Sequence, residues 1–132
     1  MSDVYTKLHG TTTDRFKIGL KNQRATLSGT TTNTATVELL DRDEAKYKAD
    51  STVFFTVYVV GRGANTAAYE IKGCYLQGTN TISGYVTTTF VDTDNFSEPT
   101  VSFNSDGEMT LTVTGVGTDT INWTAVIDVV SI

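Results

Sequence analysis

The chain has 132 residues and a net charge of −5. That length suffices for one domain that buries roughly two-thirds of its unfolded surface without a metal or disulfide staple. Ten Lys and Arg, scattered rather than clustered, face fifteen Asp and Glu, a balance that argues against nucleic-acid binding, which rests on grouped cations.

No apolar run approaches the ~20 residues needed to cross a bilayer. The start, Met1-Ser2-Asp3-Val4-Tyr5, lacks a signal peptide's basic and apolar blocks. The expectation is a product made in the cytoplasm with no membrane partner. The single Cys74 forms no internal disulfide and leaves the redox compartment open.

In chain order, residues 1–14 are polar, Thr-rich and without periodicity, and read as an N-terminal arm. Residues 15–132 read as one β-sandwich domain. Arg15 to Leu20 is a short strand candidate with Phe16 and Ile18 on one face, and Thr34 to Leu40 sets Val37 and Leu39 against Thr36 and Glu38. The charged segment Asp41 to Lys48 reads as a solvated loop. Thr52 to Gly61 differs from an ordinary half-solvated strand. Val53, Phe55, Val57 and Val59 form one apolar face, and Phe54, Tyr58 and Val60 form another, interrupted by Thr56. One face serves the core, and the other must be covered by something.

A strand from Ala67 to Gln77 follows the turn Gly61 to Asn65, and Gly73 in its middle points to a bulge or a close backbone approach. Gly78-Thr79-Asn80 turns the chain, and Gly84 to Val91 runs back. Asn104 to Gly107 is a hairpin loop in which Gly107 takes positive φ. Glu108 to Thr114 sets Met109, Leu111 and Val113 against threonines. After the turn Gly115 to Asp119, Thr120 to Val130 places Ile121, Trp123, Ala125, Ile127 and Val129 on the inner face. One proline and many β-branched residues complete the pattern. The fold class is all-β: an antiparallel, jelly-roll-like β-sandwich of about eight strands.

The residues offer little chemistry. The one histidine, His9, lies in the arm, so it makes a poor member of a rigid catalytic triad. One Cys and one His fall short of a zinc ligand set, and Cys74 reads as a small core residue. The stretch Asp92 to Glu98 lacks the sixth-position glycine and the late Glu of an EF-hand loop, and reads as a polar turn before Pro99. No carboxylate sits mid-strand among inward aromatics, where a glycosidase acid would need its raised pKa. Asn95-Phe96-Ser97 and Asn122-Trp123-Thr124 are chance glycosylation matches. Trp123 shares its face with Ile121, Ala125 and Ile127 and reads as core rather than as a sugar platform. The reading is a protein with no catalytic residue, no cofactor and no metal.

Four runs, Asp14-Arg15-Phe16-Lys17-Ile18-Gly19, Ala67-Ala68-Tyr69-Glu70-Ile71-Lys72-Gly73, Leu111-Thr112-Val113-Thr114-Gly115 and Thr120-Ile121-Asn122-Trp123-Thr124-Ala125-Val126, together resemble a β-domain that recurs in tailed-phage virion proteins. It occurs in tail-fibre and tail-spike-like chains and in small structural proteins, including those of cyanophages. The resemblance spans about residues 14 to 130, and Phe96 departs from it where related chains carry Trp after an acidic turn. It implies a virion part, often homotrimeric, without catalytic residues.

The expected function is therefore a trimeric capsid decoration (cement) protein that stabilises the head shell, partnered by itself and by the major capsid protein or tail proteins. One domain without fibrous repeats suits this better than a shaft. The expected interface is Phe54, Tyr58 and Val60, since contiguous exposed apolar surface marks interaction sites. The alternatives are a tail-fibre or baseplate component that meets a host receptor through loop aromatics such as Tyr85 or Phe96, and a monomeric carbohydrate-binding module.

Overall fold

The computed structural model describes residues 23–40, 47 and 50–132. The arm at 1–14, His9, the strand candidate at 15–20 and most of the charged segment at 41–48 lie outside the described residues. The described residues form eight strands: β1 (Gln23–Thr32), β2 (Thr36–Leu40), β3 (Thr52–Arg62), β4 (Thr66–Leu76), β5 (Thr81–Asp92), β6 (Thr100–Phe103), β7 (Met109–Thr114) and β8 (Thr120–Ser131). Their pairings are antiparallel.

A five-stranded sheet runs in the order β1-β8-β3-β4-β5 and packs on a three-stranded sheet, β2-β7-β6. The first strand pairs with the last and the second with the seventh, the nested arrangement of a jelly roll. The middle departs from that scheme, because β3, β4 and β5 stay in one sheet as a meander.

Period-two alternation explains the packing. Val53, Phe55, Val57 and Val59 of β3 point inward, as do Tyr69, Ile71 and Tyr75 of β4 and Ile121 to Val129 at alternate positions of β8; all are buried. They meet Met109, Leu111 and Val113 of β7 and Val101 of β6. At the centre Phe103 lies half-buried between the sheets. Its ring stacks on Tyr75 with centroids 4.0 Å apart and tilts against Phe55 at 5.6 Å.

Three features differ from the sequence expectation. β1 has no large inward residue beyond Leu27; its inner face is Ala25, Leu27, Gly29 and the buried Thr31, too weak an alternation to stand out. In β2 the pairing shifts between Glu38 and Leu40, so Leu39 and Leu40 are both buried although adjacent, as a β-bulge permits. Tyr47, within the supposedly solvated charged segment, is fully buried. It packs near Phe103, and its N–H donates to the Gly107 carbonyl at 2.9 Å.

Two glycine expectations hold. Gly107 has φ 80°. Gly73 sits where the β4–β5 register shifts between Lys72 and Cys74, and a Cβ there would lie 2.9 Å from an Ile82 methyl.

Candidate assembly face

The two outer faces of the sandwich differ in chemistry. The small sheet turns Thr36, Glu38, Thr100, Ser102, Thr110, Thr112 and Thr114 outward. Glu38, Ser102, Thr110 and Thr112 border a shallow polar groove, and hydrogen bonds cross the strands, Ser102 with Thr110 at 2.6 Å and Thr36 with Thr114 at 3.0 Å. The large sheet presents an apolar face instead. Phe54 is 50% exposed, Tyr58 44% and Val60 48%, and Val130 (54%), Val86 and Val91 are exposed with them.

Strand register arranges this face in rows. Phe54 lies between Val130 on β8 and Cys74 on β4, Tyr58 between Val126 and Glu70, and Val60 between Thr124 and Ala68. On β5, Val86 continues the row of Lys72 and Val91 that of Ala68. Between the Phe54 and Tyr58 rows runs a charged one, Arg24-Asp128-Thr56-Lys72. The Arg24 guanidinium grips Asp128 through two bonds, Nε to Oδ1 at 2.6 Å and Nη2 to Oδ2 at 2.8 Å. Lys72 Nζ lies 3.8 Å from Glu70 Oε1. Two cations and two anions balance around this row, and Asp128 raises the Arg24 pKa by hydrogen bonding and by charge.

The residues singled out in the sequence scatter. Phe54, Tyr58 and Val60 come together as expected on one strand face. Cys74 is not core; its position beside Phe54 puts it on the outer face, half-buried. Trp123 is core, 1% exposed, and its Nε1 donates to the buried Thr31 Oγ1 at 2.9 Å. Phe96 is not a free loop aromatic. It is buried edge-on against Trp123, with centroids 5.8 Å apart at 87°. Tyr85 belongs to β5 rather than to a loop; its hydroxyl accepts the Val101 N–H at 3.1 Å and its ring leans on Phe55.

The acidic loop is organised by its own backbone. Asp92 Oδ1 accepts the N–H groups of Asp94 and Phe96, both at 3.1 Å, and Asn95 takes φ 52°. Asn65 Nδ2 donates to Asp119 at 2.8 Å and to Asp94 at 3.3 Å. Among the described residues no three His, Cys, Asp or Glu side chains gather as a metal site.

Among the described residues, two buried tyrosines carry hydroxyls without a hydrogen-bond partner, Tyr47 and Tyr69. Burial raises the pKa of both. For Tyr69 the nearby charges of Asp92 and Glu98 add to the effect and push it to about 12.

No family model matches the chain, and no curated protein matches it. Among solved structures it is similar to the crystal structure of the Acinetobacter phage vB_ApiP_P1 tailspike protein, with a TM-score of 0.33 and 15% identity. The match covers 85% of this chain and 21% of that one, so the chain spans about a fifth of that protein's length.

Proposed function

We propose that the chain is a non-enzymatic structural protein of the phage virion, a homotrimeric decoration protein that stabilises the head shell and packs through the outer face of its large sheet. The observation that carries this reading is the asymmetry of the sandwich: one outer face is threonine and glutamate, the other phenylalanine, tyrosine and valine. At their fractional exposures, Phe54, Tyr58, Val60, Val86, Val91 and Val130 leave on the order of 500 Å² of largely apolar surface open to water. That is near the top of the range for the largest patch on a monomer. With the intervening Thr56, Ala68, Glu70 and Lys72, it approaches the ~800 Å² per partner of a standard interface.

The virion assignment draws on the four sequence runs described above, and so does the trimer. A monomeric sugar-binding module fits less well, because Trp123, the largest stacking ring, and Phe96, the aromatic of the acidic loop, are buried in the core.

Sedimentation of the full chain tests the reading. The chain mass is 14.3 kDa, and the expected assembly is built of trimers whose three-fold contact Phe54→Asp or Tyr58→Asp breaks, leaving a smaller species that is still folded. The Cys74 thiol, next to Phe54, then reacts faster with a maleimide in the Phe54→Asp variant than in the wild type. A monomeric wild type, or a trimer indifferent to both substitutions, overturns the face as an interface. Immunogold labelling of intact particles decides between shell and tail, and label confined to tails removes the decoration role.

A further inference from the structure

Large sheets end in edge strands, and an edge presents unpaired N–H and C=O groups to any strand of matching length. Among the described residues, the edges of the small sheet are short: β2 has five residues and β6 four. β1 carries Arg24 in its ion pair with Asp128. β5 is different. It is twelve residues long, exposed along most of its length, and from Thr81 to Val91 contains neither a charge nor a proline. The usual guards against strand addition, an edge Lys or Pro, are missing there.

The strand is also bounded in a particular way. Its pairing with β4 is regular from Val86 to Thr89. On one side Gly84 and Tyr85 together oppose Gly73; on the other, Phe90 is an extra residue between Thr89 and Val91. Gly84 has φ 67° and nothing within 4 Å of the place a Cβ would occupy. Phe90 is 66% exposed, the most exposed aromatic side chain among the described residues. The open glycine and the exposed ring lie three residues to either side of Thr87.

We propose that β5 pairs antiparallel with β5 of a second copy of this chain about a two-fold axis at Thr87. In this register Val86 faces Thr88 of the second copy, Tyr85 faces Thr89, and the Phe90 ring covers the open backbone of Gly84. An aromatic over a glycine on a neighbouring strand is a known way to repair a gap in a sheet. No like charges meet, because residues 81–91 have none. The even register keeps both small sheets on the same side, so the two large sheets become one ten-stranded sheet with a continuous outer face. The bulges limit pairing to a short registered stretch, which favours a closed pair over open-ended stacking. This contact lies at the edge of the sheet and stands whether or not the outer face is an interface.

Disulfide trapping tests it. In the full chain carrying Cys74→Ser and Thr87→Cys, the two introduced thiols face each other across the axis. Directly opposed antiparallel residues have Cα atoms ~4.5–5.5 Å apart, within the span of a disulfide. Mild oxidation is expected to convert most of the chain to a covalent dimer on a non-reducing gel. Adding Val86→Lys and Thr88→Lys sets lysines directly opposite each other. Both positions are exposed, so the fold persists, and dimer yield falls at least tenfold. Adding Phe54→Asp instead leaves the yield unchanged, which separates this contact from the outer-face assembly. Absence of the cross-link, or equal yield with the lysine pair, overturns the proposal. So does loss of the cross-link with Phe54→Asp, since the edge contact then has no existence of its own.

Discussion

One buried hydrogen bond fixes the Trp123 indole in the core, and Thr31→Val isolates it. Trp123 Nε1 donates to Thr31 Oγ1 at 2.9 Å with both residues essentially inaccessible to water. Valine keeps the branched shape and the volume but removes the acceptor, leaving a buried indole N–H unpaired. Such an orphaned donor costs about 1–3 kcal/mol. For a chain of this length that lowers the melting temperature by roughly 3–15 °C. Thr31→Ser is the complementary change, because it keeps the oxygen and deletes one methyl, worth about 0.8–1.5 kcal/mol. Urea unfolding followed by Trp123 fluorescence gives both values, provided the m-values match that of the wild type. The reasoning requires Thr31→Val to cost more than Thr31→Ser. A neutral Thr31→Val, or the opposite order, refutes the claim that the indole is pinned by this bond.

Two further outcomes follow from the core. At Gly61 a Cβ would lie 2.5 Å from Trp123 Cζ3, so Gly61→Ala displaces the indole and costs about 1–3 kcal/mol in the same urea assay; a neutral substitution refutes that contact. Burial, with the charges of Asp92 and Glu98, pushes the Tyr69 pKa up to about 12 from its ordinary 10.0. A raised folded-state value means that this contribution to stability is intact below pH 10 and is lost as pH rises from about 10 to about 12. Ultraviolet difference titration reads the phenolate directly, and Tyr69→Phe removes that part of the alkaline destabilisation; an unchanged alkaline limb counts against the burial argument.

Several features of this protein are legible in the bare chain because they are local. The inward set of β8, the dual-faced pattern of β3, the bulge at Gly73 and the positive φ of Gly107 each follow from residue type and period two alone. β6 and β1 are not legible. β6 is four residues long, too short for a period. β1 offers the core Ala25, Leu27, Gly29 and Thr31, whose value appears only once Leu39 fills the space over Gly29 and the indole reaches Thr31.

The misplacements have one cause. The character of their sequence neighbours points Tyr47, Cys74 and Phe96 the wrong way, because burial is set by partners distant in the chain. Gly107 and Phe103 enclose Tyr47, Trp123 seats Phe96, and the pairing of β4 with β3 turns Cys74 outward beside Phe54.

The same division applies to the assembly face. The sequence by itself determined that β3 carries two apolar faces, since alternation needs no knowledge of neighbours. Tertiary structure decided that Val130, Val86 and Val91 join Phe54, Tyr58 and Val60 in one patch, and that β5, without a charge from Thr81 to Val91, ends the large sheet among the described residues. Sheet order and register place residues from separate strands side by side, and those are set by which strands pair, not by any one strand.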